Sequence, residues 1–227
     1  MIIVNGLHFE GWLERLISAS GYHGRIVVAT TGIRPRLLNN QPDPHAWQSL
    51  SNGRIYVDNI RAALIAAIPA HADQINYGAA MYLRDIDKME RSVRQRFRSI
   101  PDNERRVITS HDAFGYFGAD YGIEFLSPQG WSTDSEPSAA KVAAIIEQIK
   151  LHRVRAVFIE NITDPRLVEH IARDAGAIRG GTLYSDALSA PGTAADSYLK
   201  MFDSNAATLV NAMRRASQPP SYEQRSP

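Results

Sequence analysis

"AHADQINYGAAMYLRDIDKMERSVRQRFRS", Ala70 to Ser99, decides how the chain is organised. About thirty residues keep helical spacing, with many charges and only Gly78 as a weak breaker, enough for about 45 Å of helix at roughly 1.5 Å per residue. Such a helix between two α/β segments is more naturally a shared spine than a loose linker. The expected division is an N-terminal α/β lobe at 1–69, a spine helix at 70–100, a C-terminal α/β lobe at 101–216 and a disordered tail at 217–227. The tail, SQPPSYEQRSP, is rich in Pro, Ser and charge and offers little to bury.

On both sides of the spine, short apolar runs alternate with amphipathic segments, the pattern of α/β domains with parallel sheets. Strands are expected at Ile2–Val4, Arg25–Ala29, Arg106–Thr109, Ile123–Leu126, Ala156–Ile159 and Gly181–Tyr184. Helices are expected in EGWLERLISAS, SAAKVAAIIEQIKLH and DPRLVEHIARDAG, the last closed by Gly176 as a C-cap. The first strand starts at residue 1 with nothing ahead of it, so a preceding segment is expected and the first lobe is read as incomplete.

Composition narrows the function. Lys and Arg number 25 against 24 Asp and Glu, so there is no global field to hold nucleic acid or an anionic membrane. Nucleic acid is therefore not an expected partner. With no cysteine, any metal is left to histidine and carboxylate. No apolar run approaches the roughly 18 to 20 residues of a membrane span, and the first residues lack a signal peptide's basic start and cleavage site.

Of the seven histidines, His8, His23, His71, His152 and His170 sit in turns or on polar helix faces and read as ordinary surface residues. His45 differs. In NNQPDPHAWQSL two prolines fix the backbone around it, with Asp43 just before and Trp47 just after. His111, in TSHDAFGYF, follows a strand directly and is expected at a helix start, with Asp112 favoured there by the helix dipole. Asp186, in LYSDALSAPG, also stands beyond a strand. Taken alone, it reads more readily as a cap or turn residue. Together, two imidazoles and a carboxylate, each just past a strand, make a metal set divided between the two halves. Glu160, ending the strand VFIE, is either an acceptor behind a ligand imidazole or a helix cap. A Ser-His-Asp triad is disfavoured, because adjacent side chains diverge and no G-x-S-x-G elbow occurs.

The stretches NGLHFEGWLERL, DPHAW, SHDAFGYF, YGIEF, FIEN and YSDALS, in that order, resemble the metal-binding solute-binding proteins of zinc and manganese ABC importers, the TroA-like family. The resemblance covers about residues 2–216. It implies two Rossmann-like lobes joined by one rigid helix, with the ion between them, and it places the second, third and fourth family ligands on His45, His111 and Asp186. The first family histidine lies ahead of the NGLxFE stretch, and no counterpart is assigned.

What the resemblance implies is a binding protein, not an enzyme. It would deliver a divalent ion to the membrane permease of an ABC importer, as a monomer, from a periplasmic or extracellular position. The cargo is expected to be zinc, with manganese the alternative. Two nitrogens and a carboxylate suit tetrahedral zinc, whereas manganese prefers more oxygen. The rival function is a metal-dependent hydrolase using a His/His/Asp zinc site, although no H-E-x-x-H occurs and no general base is evident. A non-binding remnant is the third possibility.

Overall fold

The computed structural model describes residues 1–38, 40–130, 137–152, 154 and 156–217. The greater part of the expected tail, 218–227, lies outside the described residues. The chain forms two compact α/β units: Met1–Arg91 with Gly115–Phe117, and Ser92–Phe114 with the residues from Gly118 onward.

The first unit opens with β1 (Ile2–Val4), α1 (Leu13–Ser20) and β2 (Ile26–Val28), the two strands pairing in parallel with Ile2 opposite Ile26. Helix α1 begins later than EGWLERLISAS suggested, because Glu10 has another task. Its carboxylate accepts the backbone N–H groups of Asn5 at 2.5 Å and Gly6 at 3.0 Å. Those bonds hold a turn in which Gly6, Leu7 and His8 take φ of 89°, 55° and 64°, a conformation costly for residues with a Cβ. The stretch before His45, to which no element was assigned, folds as a hairpin, β3 (Leu37–Leu38) with β4 (Gln41–Pro42), turned through Asn40 at φ 61°.

Helix α2 (Leu50–Ala67), which the sequence reading left unassigned, is capped by Ser49, whose hydroxyl accepts the Asn52 N–H at 3.2 Å. The Asn59 amide donates to the carbonyls of Ala29 and Thr31 at 2.8 and 2.9 Å, tying α2 to the end of β2. A small core of Ile33, Ala46 and Tyr116 packs with Leu7, Ile55 and Tyr56.

Helix α3 (Ala72–Phe97) runs 26 residues, about 39 Å at ~1.5 Å per residue. It is entered through a 3-10 turn at Pro69–His71, so the regular helix starts two residues after Ala70. The division between units falls inside it, after Arg91. Its C-terminal end is closed by Arg105, which donates to the carbonyls of Phe97 and Ile100 at 2.8 and 2.9 Å, groups that a helix end leaves unpaired.

The second unit holds β5 (Arg106–Ile108), α4 (Gly115–Tyr121), β6 (Glu124–Leu126), α5 (Ala139–His152), β7 (Ala156–Glu160), α6 (Pro165–Ala175), β8 (Ile178–Leu183) and α7 (Tyr198–Ser217). Its four strands are all parallel, in the order β6-β5-β7-β8. Parallel pairing brings every carboxyl end to one edge, the edge on which such sheets present ligand-binding loops. The core joins Ile108 and Val157 of the sheet to Ile149 of α5 and Val168, Ile171 and Ala172 of α6. Truncating one of these isoleucines to alanine costs about 2–5 kcal/mol.

Helix α6 follows its sequence signals closely. Asp164 accepts the Arg166 N–H at 2.9 Å, Pro165 takes the first turn, and Gly176 ends the helix at φ 68°. Strand β8 starts at Ile178, three residues before the expected Gly181, and ends at Leu183. Helix α7 was not anticipated. Among the described residues no helix is long and apolar enough to cross a membrane.

Candidate metal centre

In the first unit, His45 follows β4 and caps the short 3-10 turn Ala46–Gln48. It is buried, as is Asp43, and one oxygen of Asp43 meets both its backbone N–H at 3.0 Å and its ring Nδ1 at 2.9 Å. An ionised carboxylate only accepts, so Nδ1 carries the proton and the coordinating lone pair belongs to Nε2. Trp47 and Phe9 stand edge-on to the imidazole, with ring centres 5.2 and 6.4 Å away. Proline-fixed backbone, carboxylate and aromatic walls together leave the ring little freedom.

Asp43 is itself held from several directions. Its second oxygen receives Arg36 Nη1 at 2.7 Å, and its backbone N–H donates to the Arg36 carbonyl at 2.8 Å, extending the hairpin by one pair. The Tyr116 hydroxyl accepts the Arg36 N–H at 3.0 Å and donates to the Asp43 carbonyl at 2.9 Å. Burial, foremost, pushes that hydroxyl up to about 12, so it keeps the proton it donates.

In the second unit, His111 follows β5 and Asp186 follows β8. His111 is fully buried. Its Nδ1 lies 2.6 Å from one oxygen of Glu160, whose other oxygen accepts the His111 backbone N–H at 2.9 Å. Its Nε2 faces an oxygen of Asp186 at 3.3 Å. Burial is the largest influence on this imidazole and lowers its pKa. The hydrogen bonds to Asp186 and then Glu160 oppose it and win, leaving the pKa up at about 10. Without metal, these contacts favour the protonated form of the His111 ring.

The Asp186 loop is fastened by two asparagines. Asn205 of α7 accepts the Tyr184 N–H at 2.9 Å and donates to its carbonyl at 2.8 Å. Asn161, just past β7, accepts the Ser185 N–H at 3.4 Å and donates to the Ala187 carbonyl at 3.0 Å. This pair of bonds brackets Asp186 on both sides.

His111 and Asp186 are thus brought together in the second unit, while His45 belongs to the first. Glu160 proves to be an acceptor behind an imidazole, not a helix cap. Asp112 departs from expectation, because α4 begins only at Gly115 and leaves Asp112 in the loop ahead of it. His8, His23, His71, His152 and His170 are all exposed, and His170 pairs with Asp174 one helical turn on at 3.5 Å. Arg36, Tyr116, Asn161 and Asn205 were not singled out by the sequence. Their work depends on partners in other elements.

Comparison with known proteins gives the family. Over 224 residues the chain is 30% identical to the manganese-binding lipoprotein MntA of Bacillus subtilis (strain 168), covering 94% of this chain and 73% of that protein. It is 30% identical over 215 residues to the iron-binding protein YfeA of Yersinia pestis, covering 92% and 69%. To the zinc-binding protein TroA of Treponema pallidum it is 32% identical over 226 residues, covering 95% and 73%. The solved structure of the periplasmic zinc-binding protein TroA matches with a TM-score of 0.89 over 93% of this chain and 80% of that one, at 30% identity. The model of the family described as zinc-uptake complex component A, periplasmic, matches residues 1–212. The chain belongs to that family, the metal-binding substrate-binding proteins of ABC importers.

Proposed function

We propose that the chain carries zinc, held by His45 Nε2, His111 Nε2 and a carboxylate oxygen of Asp186, and that it gives the ion up to the permease of an ABC importer. It works as a monomer on the outer side of the cytoplasmic membrane, a position supported by the periplasmic description of the matching family and by relatives named as lipoproteins. Proteins of this family are not enzymes, and no observation favours the hydrolase alternative.

The observation that carries this reading is a shared design. Each histidine has a carboxylate at Nδ1, Asp43 for His45 at 2.9 Å and Glu160 for His111 at 2.6 Å. A carboxylate behind Nδ1 fixes ring orientation and raises the basicity of Nε2. Both rings are thereby prepared as nitrogen donors. Asp186, 3.3 Å from His111 Nε2, adds oxygen within reach of an ion on that nitrogen. Two imidazoles and a carboxylate match the donor preference of zinc, which takes nitrogen and oxygen at about 2.0–2.2 Å.

Manganese is the second reading, favoured by the name of the Bacillus subtilis relative, and the Yersinia pestis relative is named for iron. Competition against chelators of graded strength, run separately with zinc, manganese and ferrous iron, tests the choice. Zinc is expected to bind most tightly by a wide margin. Manganese or iron binding at least as tightly as zinc overturns the assignment.

A further inference from the structure

The Arg36–Asp43 pair joins an imidazole in a buried setting to a guanidinium at the surface. Asp43 is fully buried, whereas the Arg36 side chain is 40% exposed. The guanidinium lies over the Tyr116 ring, its centre 5.6 Å away, and passes directly across Gly115. A Cβ built on Gly115 would stand 1.2 Å from Arg36 Nη1 and 2.0 Å from its Cζ. Gly115 has no positive φ, so what glycine provides there is space and not conformational freedom. The two oxygens of Asp43 are divided, one to Arg36 and one to His45.

We propose that Arg36, reaching Asp43 through the space left by Gly115, is a positioning residue for the His45 end of the metal site. The guanidinium fixes the rotation of the Asp43 carboxylate. The carboxylate fixes which nitrogen of His45 carries the proton and where Nε2 points. Without the arginine, Asp43 can rotate, and the imidazole gains a second tautomer and a second orientation. This role rests on the proposal that His45 is a metal ligand.

Two substitutions separate the guanidinium from its carboxylate by different routes. Arg36→Met keeps the aliphatic stem and removes the donor. Gly115→Ala leaves every residue of the relay in place and evicts only the end of a flexible side chain, at a position where a helix start accepts alanine. Two readouts apply to the purified chain: zinc affinity by chelator competition, and the His45 tautomer in metal-free protein by heteronuclear NMR of the imidazole nitrogens. The expected result in both variants is a roughly tenfold weaker zinc affinity, as for loss of other groups that orient metal-binding histidines, with His45 no longer purely Nδ1-protonated. Either variant keeping both the parent's affinity and its Nδ1–H tautomer overturns the proposal. If the parent itself binds no zinc, the metal assignment fails, and the tautomer comparison alone then decides the role of Arg36.

Discussion

Glu160 meets His111 twice: one carboxylate oxygen lies 2.6 Å from the ring Nδ1, and the other accepts the backbone N–H at 2.9 Å. A single carboxylate at the end of β7 therefore sets both the path of the chain after β5 and the orientation of the imidazole. Glu160→Ala removes both acceptors and leaves a buried N–H without its partner, costing about 1–3 kcal/mol of stability. Zinc affinity should fall about 10- to 100-fold. Denaturant unfolding and zinc competition on the same variant check the two effects. Unchanged affinity would remove Glu160 from the account of the site.

With His111 as the proposed ligand, its raised pKa would couple metal binding to proton release. Free histidine titrates near 6.5 and the folded, metal-free residue near 10. The stabilisation from its two carboxylates is thus complete below about pH 6.5 and is lost as pH rises through about 10. Metal-free protein should unfold more readily at pH 10 than at pH 7, and His111→Gln should flatten that difference. Zinc bound at His111 would have to displace the proton, so its affinity should rise with pH across the same range. Calorimetric zinc titrations near neutral pH, in buffers of different ionisation enthalpy, should report about one proton released. A release near zero contradicts the imidazolium assignment.

Asn205 is buried and satisfies both backbone groups of Tyr184, two residues before Asp186. Asn205→Ala is expected to cost about 1–3 kcal/mol through those unpaired groups, and to weaken zinc binding because the Asp186 loop is no longer fastened to α7. Thermal unfolding together with zinc competition tests this. Loss of stability with affinity intact would show that Asn161 alone suffices to hold the loop.

Much of this was legible in the chain, and the gaps have physical causes. His111 and Asp186 could be singled out because each closely follows an apolar run, and His45 because two prolines bracket Asp43 just before it. Strand β8 looked shorter than it is because Gly180 and Gly181 interrupt its apolar pattern. Gly180 is there because the Phe158 ring occupies the space its Cβ would need, 2.3 Å from the nearest ring carbon. Gly181, at φ 127°, stands opposite Phe158, where the pairing of β7 and β8 shifts register. The hairpin before His45 escaped notice because each of its strands is only two residues long, too short for any period. Glu160 kept two possible roles, since its partner lies 49 residues away and no local pattern records it.

The most direct test of the central claim is an anomalous difference map, measured just above the zinc absorption edge, from crystals grown with one equivalent of zinc. One strong peak is predicted, bonded at about 2.0–2.2 Å to His45 Nε2, His111 Nε2 and an oxygen of Asp186, with Asp43 and Glu160 still at the two Nδ1 atoms. A peak that omits any of these three residues, or no peak in protein saturated with zinc, would contradict it.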